Sequence, residues 1–106
     1  MTAERAIANL DKAIEAELIN IKCIWGNAYS SRHEGYAILK EEVEEAEEAL
    51  ENLQNKLENI WSNIRLNWDS KKDIHEAESA AFALASEAIQ CAAVCRKFLE
   101  SSKGWK

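Results

Sequence analysis

The sequence predicts an all-α protein, an antiparallel bundle of three main helices that is completed by oligomerisation. The 106 residues contain three Gly and no Pro, so the chain lacks the turn residues of a multi-stranded sheet. Apolar residues make up 47% of the chain and recur at alternating steps of three and four, the spacing of a helix face. Residues 1–106 are expected to form one domain, since this length supports a single modest core.

The first predicted helix runs from Thr2, a residue type that caps helix amino termini, to Trp25. Its apolar positions recur at helical spacing and end beside Gly26. These positions are Ala3, Ala6 or Ile7, Leu10, Ile14, Leu18, Ile21 and Trp25. The segment that follows, residues 26–35, contains two Gly, an Asn and two Ser residues, which predicts a loop or a frayed helix end.

The second predicted helix runs from Ser31 to Trp68 and is the longest of the three. Ser31 and Glu34 have the spacing of a capping box, which satisfies backbone N–H groups of the first turn. The apolar seam predicted to face partner helices consists of Val43, Ala46, Leu50, Leu53, Leu57, Ile60 and Ile64. Three helices of unequal length leave part of this seam uncovered, so we expect a homo-oligomer, most simply a homodimer. Trp61 and Trp68 can enter the core of one chain or a contact between subunits.

The third predicted helix runs from Ser70 to Ser101, and Ser70 with Asp73 forms a second capping box. Its predicted core seam has heptad spacing. The seam consists of Ile74, Ala77, Ala81, Leu84, Ala88, Cys91, Cys95 and Phe98. Residues 101–106 are expected to form a loose tail, as chain ends often do.

Cysteine and histidine residues are not expected to have catalytic, redox or metal-binding roles. Cys23, Cys91 and Cys95 lack the spacing of a zinc or redox motif, so we expect small buried apolar side chains. His33 and His75 lie at the starts of predicted helices, where exposed polar residues are ordinary. Neither forms part of a Ser/His/Asp or Cys/His constellation in the sequence.

The charge of the chain limits the partners that it can have. The net charge is −6, and acidic proteins lack the clustered Lys and Arg side chains that bind nucleic acid polymers or anionic membranes. No apolar run reaches the length of a membrane span, and the amino-terminal segment is charged where a signal peptide is hydrophobic. We therefore expect a cytoplasmic protein that binds neither membranes nor nucleic acid polymers, although a nucleotide can bind through a metal ion.

Acidic side chains on the second and third helices are the candidates for a metal site. Glu42 and Glu45 lie three residues apart, so their carboxylates project from one helix face about one turn apart. The same spacing separates Glu87 and Gln90 on the third helix. Glu87 lies among apolar residues, where a carboxylate is costly unless it is paired, protonated or bound to a metal. Antiparallel packing can bring the two pairs together, and their oxygens suit Mg²⁺ or Mn²⁺.

Two simpler explanations stand beside the metal site. The Glu-rich segment at residues 41–48 can be a solvated acidic face, since such segments are common on exposed helices. Glu87 can instead form a salt bridge with a basic residue of a neighbouring helix. The basic residues available for that pair are Lys22, Arg32 and Lys40.

Three segments, in this order, resemble the MazG-like branch of the all-α nucleoside triphosphate pyrophosphohydrolases, particularly its short phage-type members. They are Trp25 with Gly26, the stretch HEGYAILKEEVEE at residues 33–45, and the stretch EAIQCAAV at residues 87–94. The resemblance covers roughly residues 13–99. It implies an enzyme that uses Mg²⁺ to hydrolyse nucleoside triphosphates to nucleoside monophosphates and pyrophosphate.

The resemblance also implies roles for individual residues. Glu42, Glu45 and Glu87 would hold the metal, and Gln90 stands at the place of a fourth ligand, which is an aspartate in the family. Glu41 would be the catalytic residue, binding a second metal ion or orienting the attacking water. The basic residues expected to bind the phosphates of the substrate are Lys22, Lys40 and Arg96.

Two departures from the family pattern support a second hypothesis. The neutral amide of Gln90 binds Mg²⁺ more weakly than a carboxylate and does not neutralise its charge. The interval between Glu45 and Glu87 is longer than in the family, and the additional residues continue the heptad pattern. The alternative is a catalytically degenerate assembly or regulatory protein that keeps the same fold.

Overall fold

The computed structural model describes residues 3–105 and contains three α-helices and no strand within that range. The helices are α1 (Ala3–Trp25), α2 (Arg32–Arg65) and α3 (Lys71–Ser102). They confirm the predicted all-α class and the three-helix architecture. Thr2, the predicted cap of α1, lies outside the described residues. None of the described helices has the length and apolar character that a membrane span requires.

The antiparallel hairpin of α2 and α3 forms the body of the molecule. Gly35, near the start of α2, lies against the ring of Phe98 near the end of α3. At the other end of the hairpin, Lys56 pairs with Glu76 at 3.1 Å. The two helices therefore run in opposite directions over most of their length.

Helix α1 packs on α3. Arg96 pairs with Glu15, and Lys22, further along α1, pairs with Glu100, further along α3, so the two helices run parallel. Among the described residues, α1 makes no contact with α2. Helix α3 is therefore the central helix, and α1 covers only its carboxyl-terminal part.

The seam by which α2 contacts α3 differs from the predicted one. Positions at alternating steps of three and four are partly buried, and they are Leu39, Glu42, Ala46, Ala49, Leu53, Lys56, Ile60 and Asn63. Four positions of the predicted seam, Val43, Leu50, Leu57 and Ile64, are exposed instead. The prediction was wrong at these four positions because α2 carries two overlapping apolar stripes, and α3 covers only one of them.

The seams of α1 and α3 are also displaced. In α1 the predicted seam is buried at Leu18, where it meets α3, whereas the predicted positions Ile7, Leu10 and Trp25 are exposed. In α3 the predicted positions Ile74, Ala81, Ala88 and Cys95 are exposed. The buried side chains of α3 are Ala80, Ala93, Val94, Lys97 and Ser101. The core therefore lies mainly in the carboxyl-terminal half of α3, where α1 and α2 cover two of its faces.

The cysteines are less buried than predicted. Cys23 and Cys95 are exposed, and Cys91 is only partly buried. All three are free thiols. His33 and His75 are exposed near the helix starts, as expected.

The amino terminus of α2 is capped at the predicted residue. The hydroxyl oxygen of Ser31 accepts a hydrogen bond from the backbone N–H of Glu34, at 3.1 Å. The carboxylate of Glu34 accepts hydrogen bonds from the backbone N–H and the hydroxyl of Ser30, rather than from the backbone of Ser31. The cap is therefore a variant of the predicted capping box.

The turn between α2 and α3 departs further from the prediction. Helix α2 ends at Arg65, before its predicted end, and Asn67 takes a left-handed backbone conformation with φ 56°. The side chain of Ser70 forms no capping hydrogen bond. Asp73 instead accepts a hydrogen bond from the side-chain amide of Asn63, which ties the two ends of the turn together.

The described part of the predicted tail, residues 101–105, is not loose, and Lys106 lies outside the described residues. Ser101 is buried, and its hydroxyl accepts a hydrogen bond from the backbone N–H of Tyr29 and donates one to the carbonyl of Lys97. Trp105 packs edge-on against Phe98, with ring centroids 5.8 Å apart. These contacts attach the loop between α1 and α2 to the end of α3.

We expect Gly35→Ala to lower the free energy of unfolding. A Cβ at this position would lie 2.8 Å from the Phe98 ring, and edge contacts with Tyr29 and Trp105 hold that ring in place. Overpacking of this kind costs about 1–3 kcal/mol. Ala gains about 1 kcal/mol over Gly in helix propensity, so we expect a net loss of up to about 2 kcal/mol in urea denaturation.

Gly104→Ala is the matched control for this change. A Cβ at residue 104 would meet its nearest atom at 3.9 Å, which is an ordinary contact. Its effect on stability should therefore be small. A Gly35→Ala protein that is more stable than the wild type would contradict the described packing around Phe98.

Candidate metal centre and adjoining cleft

Three carboxylates from two helices converge between α2 and α3. One oxygen from each of Glu42, Glu45 and Glu87 lies within 4.8 Å of the other two. Glu42 and Glu45 stand about one turn apart on α2, and the antiparallel packing brings Glu87 of α3 opposite them. Gln90, three residues further along α3, is partly buried. The structure thus brings together three of the four residues that were predicted as metal ligands. These three are called the acidic cluster below.

Glu42 and Glu87 are partly buried, and one carboxylate oxygen of each has no neutralising partner. The Oε2 atoms of Glu42 and Glu87 are shielded from solvent and have no hydrogen-bond partner. Among the described residues, neither side chain forms a salt bridge. The ion pair considered for Glu87 is therefore absent from this part of the chain. Since an unpaired buried carboxylate is costly, the cluster suits a cationic ligand.

Proximity and burial raise the pKa of the two buried carboxyls. Burial raises the pKa of Glu42, and the charges of Glu45, Glu87 and Glu41 raise it further. Burial also raises the pKa of Glu87, and the charge of Glu45 adds to this effect. Both effects disfavour the ionised carboxylates that a metal ion requires. A bound cation would reverse them, because its charge attracts all three side chains.

A cleft of about 510 Å³ lies beside the acidic cluster, between α1, α2 and α3. Its lining residues are Ile21, Trp25, Tyr29, Glu34, Ile38, Glu41, Glu42, Val94 and Lys97. Glu42 belongs to both the cleft and the cluster, so a ligand in the cleft can reach a metal ion held by the cluster. Glu41, the predicted catalytic residue, also lines the cleft. The cleft lies between α1 and α2, which both pack on α3 and, among the described residues, have no close backbone approach to each other.

Lys97 is a buried cation at this cleft. Its side chain is only 1% exposed, and its Nζ lies 4.2 Å from the centre of the Tyr29 ring. Burial lowers the pKa of Lys97, with the charge of Glu34 opposing the shift and that of Lys22 adding to it. Lys97 forms no salt bridge with a described carboxylate. An ammonium group so placed can bind an anionic ligand.

The three basic residues predicted to bind substrate do not line the cleft. Each pairs with carboxylates instead: Lys22 with Glu100, Lys40 with Glu44, and Arg96 with Asp11 and Glu15. Lys97 was not among the predicted residues. No sequence motif marks it, and its burial follows only from the way in which three helices and a loop meet.

Comparisons with known proteins add no relative. No protein-family model matches the chain, and no curated protein or solved structure does so either. What the cluster and the cleft can do is therefore inferred from their own residues and geometry.

We expect the acidic cluster to make the metal-free protein less stable as pH rises. A carboxyl whose pKa is raised by folding holds its proton more tightly in the folded state. Its contribution is therefore most favourable below the unfolded pKa, about 4.3 for Glu, and is lost as pH rises through the raised value. Replacing Glu87 with Gln removes one such group. The free energy of unfolding of Glu87→Gln minus that of the wild type should therefore increase as pH rises from about 4 to about 8. Urea denaturation in EDTA measures this difference.

Glu51→Gln is the control for this titration, because Glu51 is an exposed carboxylate of α2 outside the cluster. Its stability relative to wild type should stay nearly constant over the same pH range. If the Glu87→Gln difference is also constant, or shifts in favour of wild type, the described repulsion within the cluster is contradicted.

Proposed function

We propose that this protein hydrolyses nucleoside triphosphates to nucleoside monophosphates and pyrophosphate with the help of a divalent cation. The observation that carries the proposal is the convergence of Glu42, Glu45 and Glu87, two of which have buried oxygens without partners. This donor set fits Mg²⁺ or Mn²⁺, because both are hard cations that prefer carboxylate oxygens. The reaction is the one that the resemblance to the MazG-like family implies.

The cleft supports a nucleotide as the ligand. Its volume of about 510 Å³ lies within the range of small-molecule sites. The apolar side chains of Ile21 and Ile38 suit a sugar and a base, and Trp25, 77% exposed, is free to stack on an aromatic ring. Lys97 provides a positive charge for the phosphates, while Glu42 links the cleft to the acidic cluster.

In the proposed reaction, different residues of the chain bind the metal, activate the water and stabilise the developing charge. Glu42, Glu45 and Glu87 would hold the metal, and Gln90 would be a neutral fourth ligand. A bound cation would neutralise charge on the phosphates and lower the pKa of a water molecule. Glu41 orients the attacking water and accepts its proton. The oxygen of this water bonds to a phosphorus atom of the link between the α- and β-phosphates while the bridging P–O bond breaks, so that nucleoside monophosphate and pyrophosphate separate. Lys97 stabilises the negative charge that develops on the phosphate oxygens.

A second candidate function is a catalytically degenerate assembly or regulatory protein. Gln90 favours it, because an amide in place of a carboxylate weakens Mg²⁺ binding. The exposed apolar positions of α2 favour it too, since such surfaces commonly mark assembly sites. In this case the fold is kept, and no nucleoside triphosphate is cleaved.

We expect millimolar Mg²⁺ or Mn²⁺ to raise the melting temperature. Ligands that bind only the folded state stabilise it by mass action, by about 2.7 kcal/mol when the free ligand is about 100 times above Kd. Glu87→Gln should abolish most of this rise. Gln90→Asp should tighten metal binding and lower metal-free stability, because it adds a fourth negative charge to a poorly solvated place. Calorimetric titration and thermal unfolding measure the two effects separately.

The control for metal binding is again Glu51→Gln, which should keep the full rise in melting temperature. A rise that is equal in wild type and Glu87→Gln would place the ion elsewhere on the protein. No rise in the wild type with either ion would contradict the proposed cofactor.

A panel of ribo- and deoxyribonucleoside triphosphates, assayed for pyrophosphate release with and without Mg²⁺, tests the reaction. We expect release that needs the cation and falls about 10²-fold in Lys97→Met, which keeps an apolar stem but removes the charge. Lys97→Arg should retain more activity than Lys97→Met, because it keeps the charge. Lys72→Met, on the first turn of α3 and far from the cleft, should resemble wild type.

Circular dichroism must show that each variant remains helical before its rate is compared. A folded wild type that releases no pyrophosphate from any triphosphate would support the second candidate function. If Lys97→Met is folded and fully active, the role given to Lys97 is wrong even though the reaction stands.

A further inference from the structure

Helix α2 carries a second apolar stripe along its solvent side, called the outer stripe below. It consists of Val43, Glu47, Leu50, Gln54, Leu57, Trp61 and Ile64, at alternating steps of four and three. Its five apolar side chains are between 41% and 63% exposed. Single exposed apolar residues are ordinary on any protein, but a regular heptad series is the pattern that packs against another helix.

No described part of the same chain covers the outer stripe. Helix α3 packs on the adjacent face of α2, where Leu53 and Ile60 are partly buried. Helix α1 makes no contact with α2 among the described residues. The outer stripe is therefore open to a helix from outside the described residues.

We propose that this helix is α2 of a second copy of the same chain, packed antiparallel to the first about a twofold axis near Gln54. The charge distribution along α2 supports this orientation. Residues 32–48 carry two basic and seven acidic side chains, whereas residues 49–65 carry two of each. A parallel pair would place the two acidic halves side by side. An antiparallel pair places each acidic half beside a neutral half, which avoids that repulsion.

The sequence of the outer stripe fits a self-complementary contact about this axis. With Gln54 facing its own copy, Leu50 faces Leu57 of the second copy and Val43 faces Ile64. Glu47 faces the end of α2 that carries Trp61. The guanidinium of Arg65 lies over that ring, 5.9 Å from its centroid, and gives Glu47 of the second copy a cation to pair with. Leu50 and Val43 therefore meet apolar residues, and Glu47 meets Trp61 with the guanidinium of Arg65 beside it.

The proposed interface leaves the candidate site free. A helix has about 3.6 residues per turn, so Glu41 and Glu45 project from the side of α2 roughly opposite Val43 and Leu50. The cleft lies on that same opposite side. Each copy therefore keeps its own acidic cluster and cleft, and the inference does not depend on the proposed function.

Sedimentation equilibrium at micromolar concentration tests the contact. The wild type should have twice the 12.0 kDa mass of one chain, and Leu57→Glu should have the mass of one chain while it stays helical by circular dichroism. Ile19→Glu is the control, because Ile19 is a comparably exposed apolar residue on α1, 62% against 63% for Leu57. It should remain dimeric.

Disulfide crosslinking tests the orientation in a variant whose Cys23, Cys91 and Cys95 are replaced by Ser. Gln54→Cys should form an interchain disulfide on oxidation, because the axis brings the two introduced thiols together. Glu47→Cys should not form one, because the antiparallel arrangement separates the two introduced thiols by about four helical turns.

Three results would overturn the proposal. If the wild type is monomeric, the outer stripe does not bind a second copy of the chain. A dimer that Leu57→Glu does not weaken uses another surface. If Glu47→Cys forms an interchain disulfide, the two helices are parallel and the proposed antiparallel arrangement is wrong.

Discussion

The antiparallel packing of α2 on α3 is the constraint on which the rest of the structure depends. Its register is held at one end by Gly35 against Phe98 and towards the other end by Lys56 with Glu76. A slip of one helical turn moves a side chain by about 5.4 Å along the axis. The oxygens of the acidic cluster lie within 4.8 Å of one another, so such a slip would separate them. The close approach at Gly35 therefore contributes to the geometry of a site that lies further along the hairpin.

The number of helices and most of their bounds follow from local features of the sequence. The absence of Pro, the caps and the apolar periodicity act over a few residues, and Ser31 caps α2 as predicted. The face that each helix buries could not be predicted from these local features. Val43 and Leu50 belong to an apolar stripe as regular as the one that contains Leu53 and Ile60, and periodicity alone does not say which stripe meets α3. That choice depends on how α2 is rotated about its own axis against α3, which is a property of the tertiary structure.

The candidate site likewise combines residues that the sequence indicated with residues that only the tertiary structure brings together. The spacing of Glu42, Glu45 and Glu87 allowed their convergence to be predicted, because antiparallel packing of two helices can bring such positions together, and the structure groups these three without Gln90. Lys97 was not predictable in this way, since a lysine is exposed in most proteins and nothing near it in the sequence marks it as buried. Its burial requires Tyr29, from the loop before α2, to lie over the side chain. The cleft is likewise a space between elements, which no single segment encodes.

The hydrogen bond from the Tyr29 backbone to the hydroxyl of Ser101 has a consequence for the order of folding. It joins residues 72 positions apart, and α1 and α2 both pack on α3. During synthesis the residues of the first two helices are made before those of the helix on which both pack. The backbone N–H of Tyr29 lacks this hydrogen-bond partner until Ser101 has been synthesised. The wall of the cleft that Tyr29 forms is thus attached to α3 only after both α1 and α2 have been made, and removal of the end of α3 from Ser101 onwards would remove this attachment.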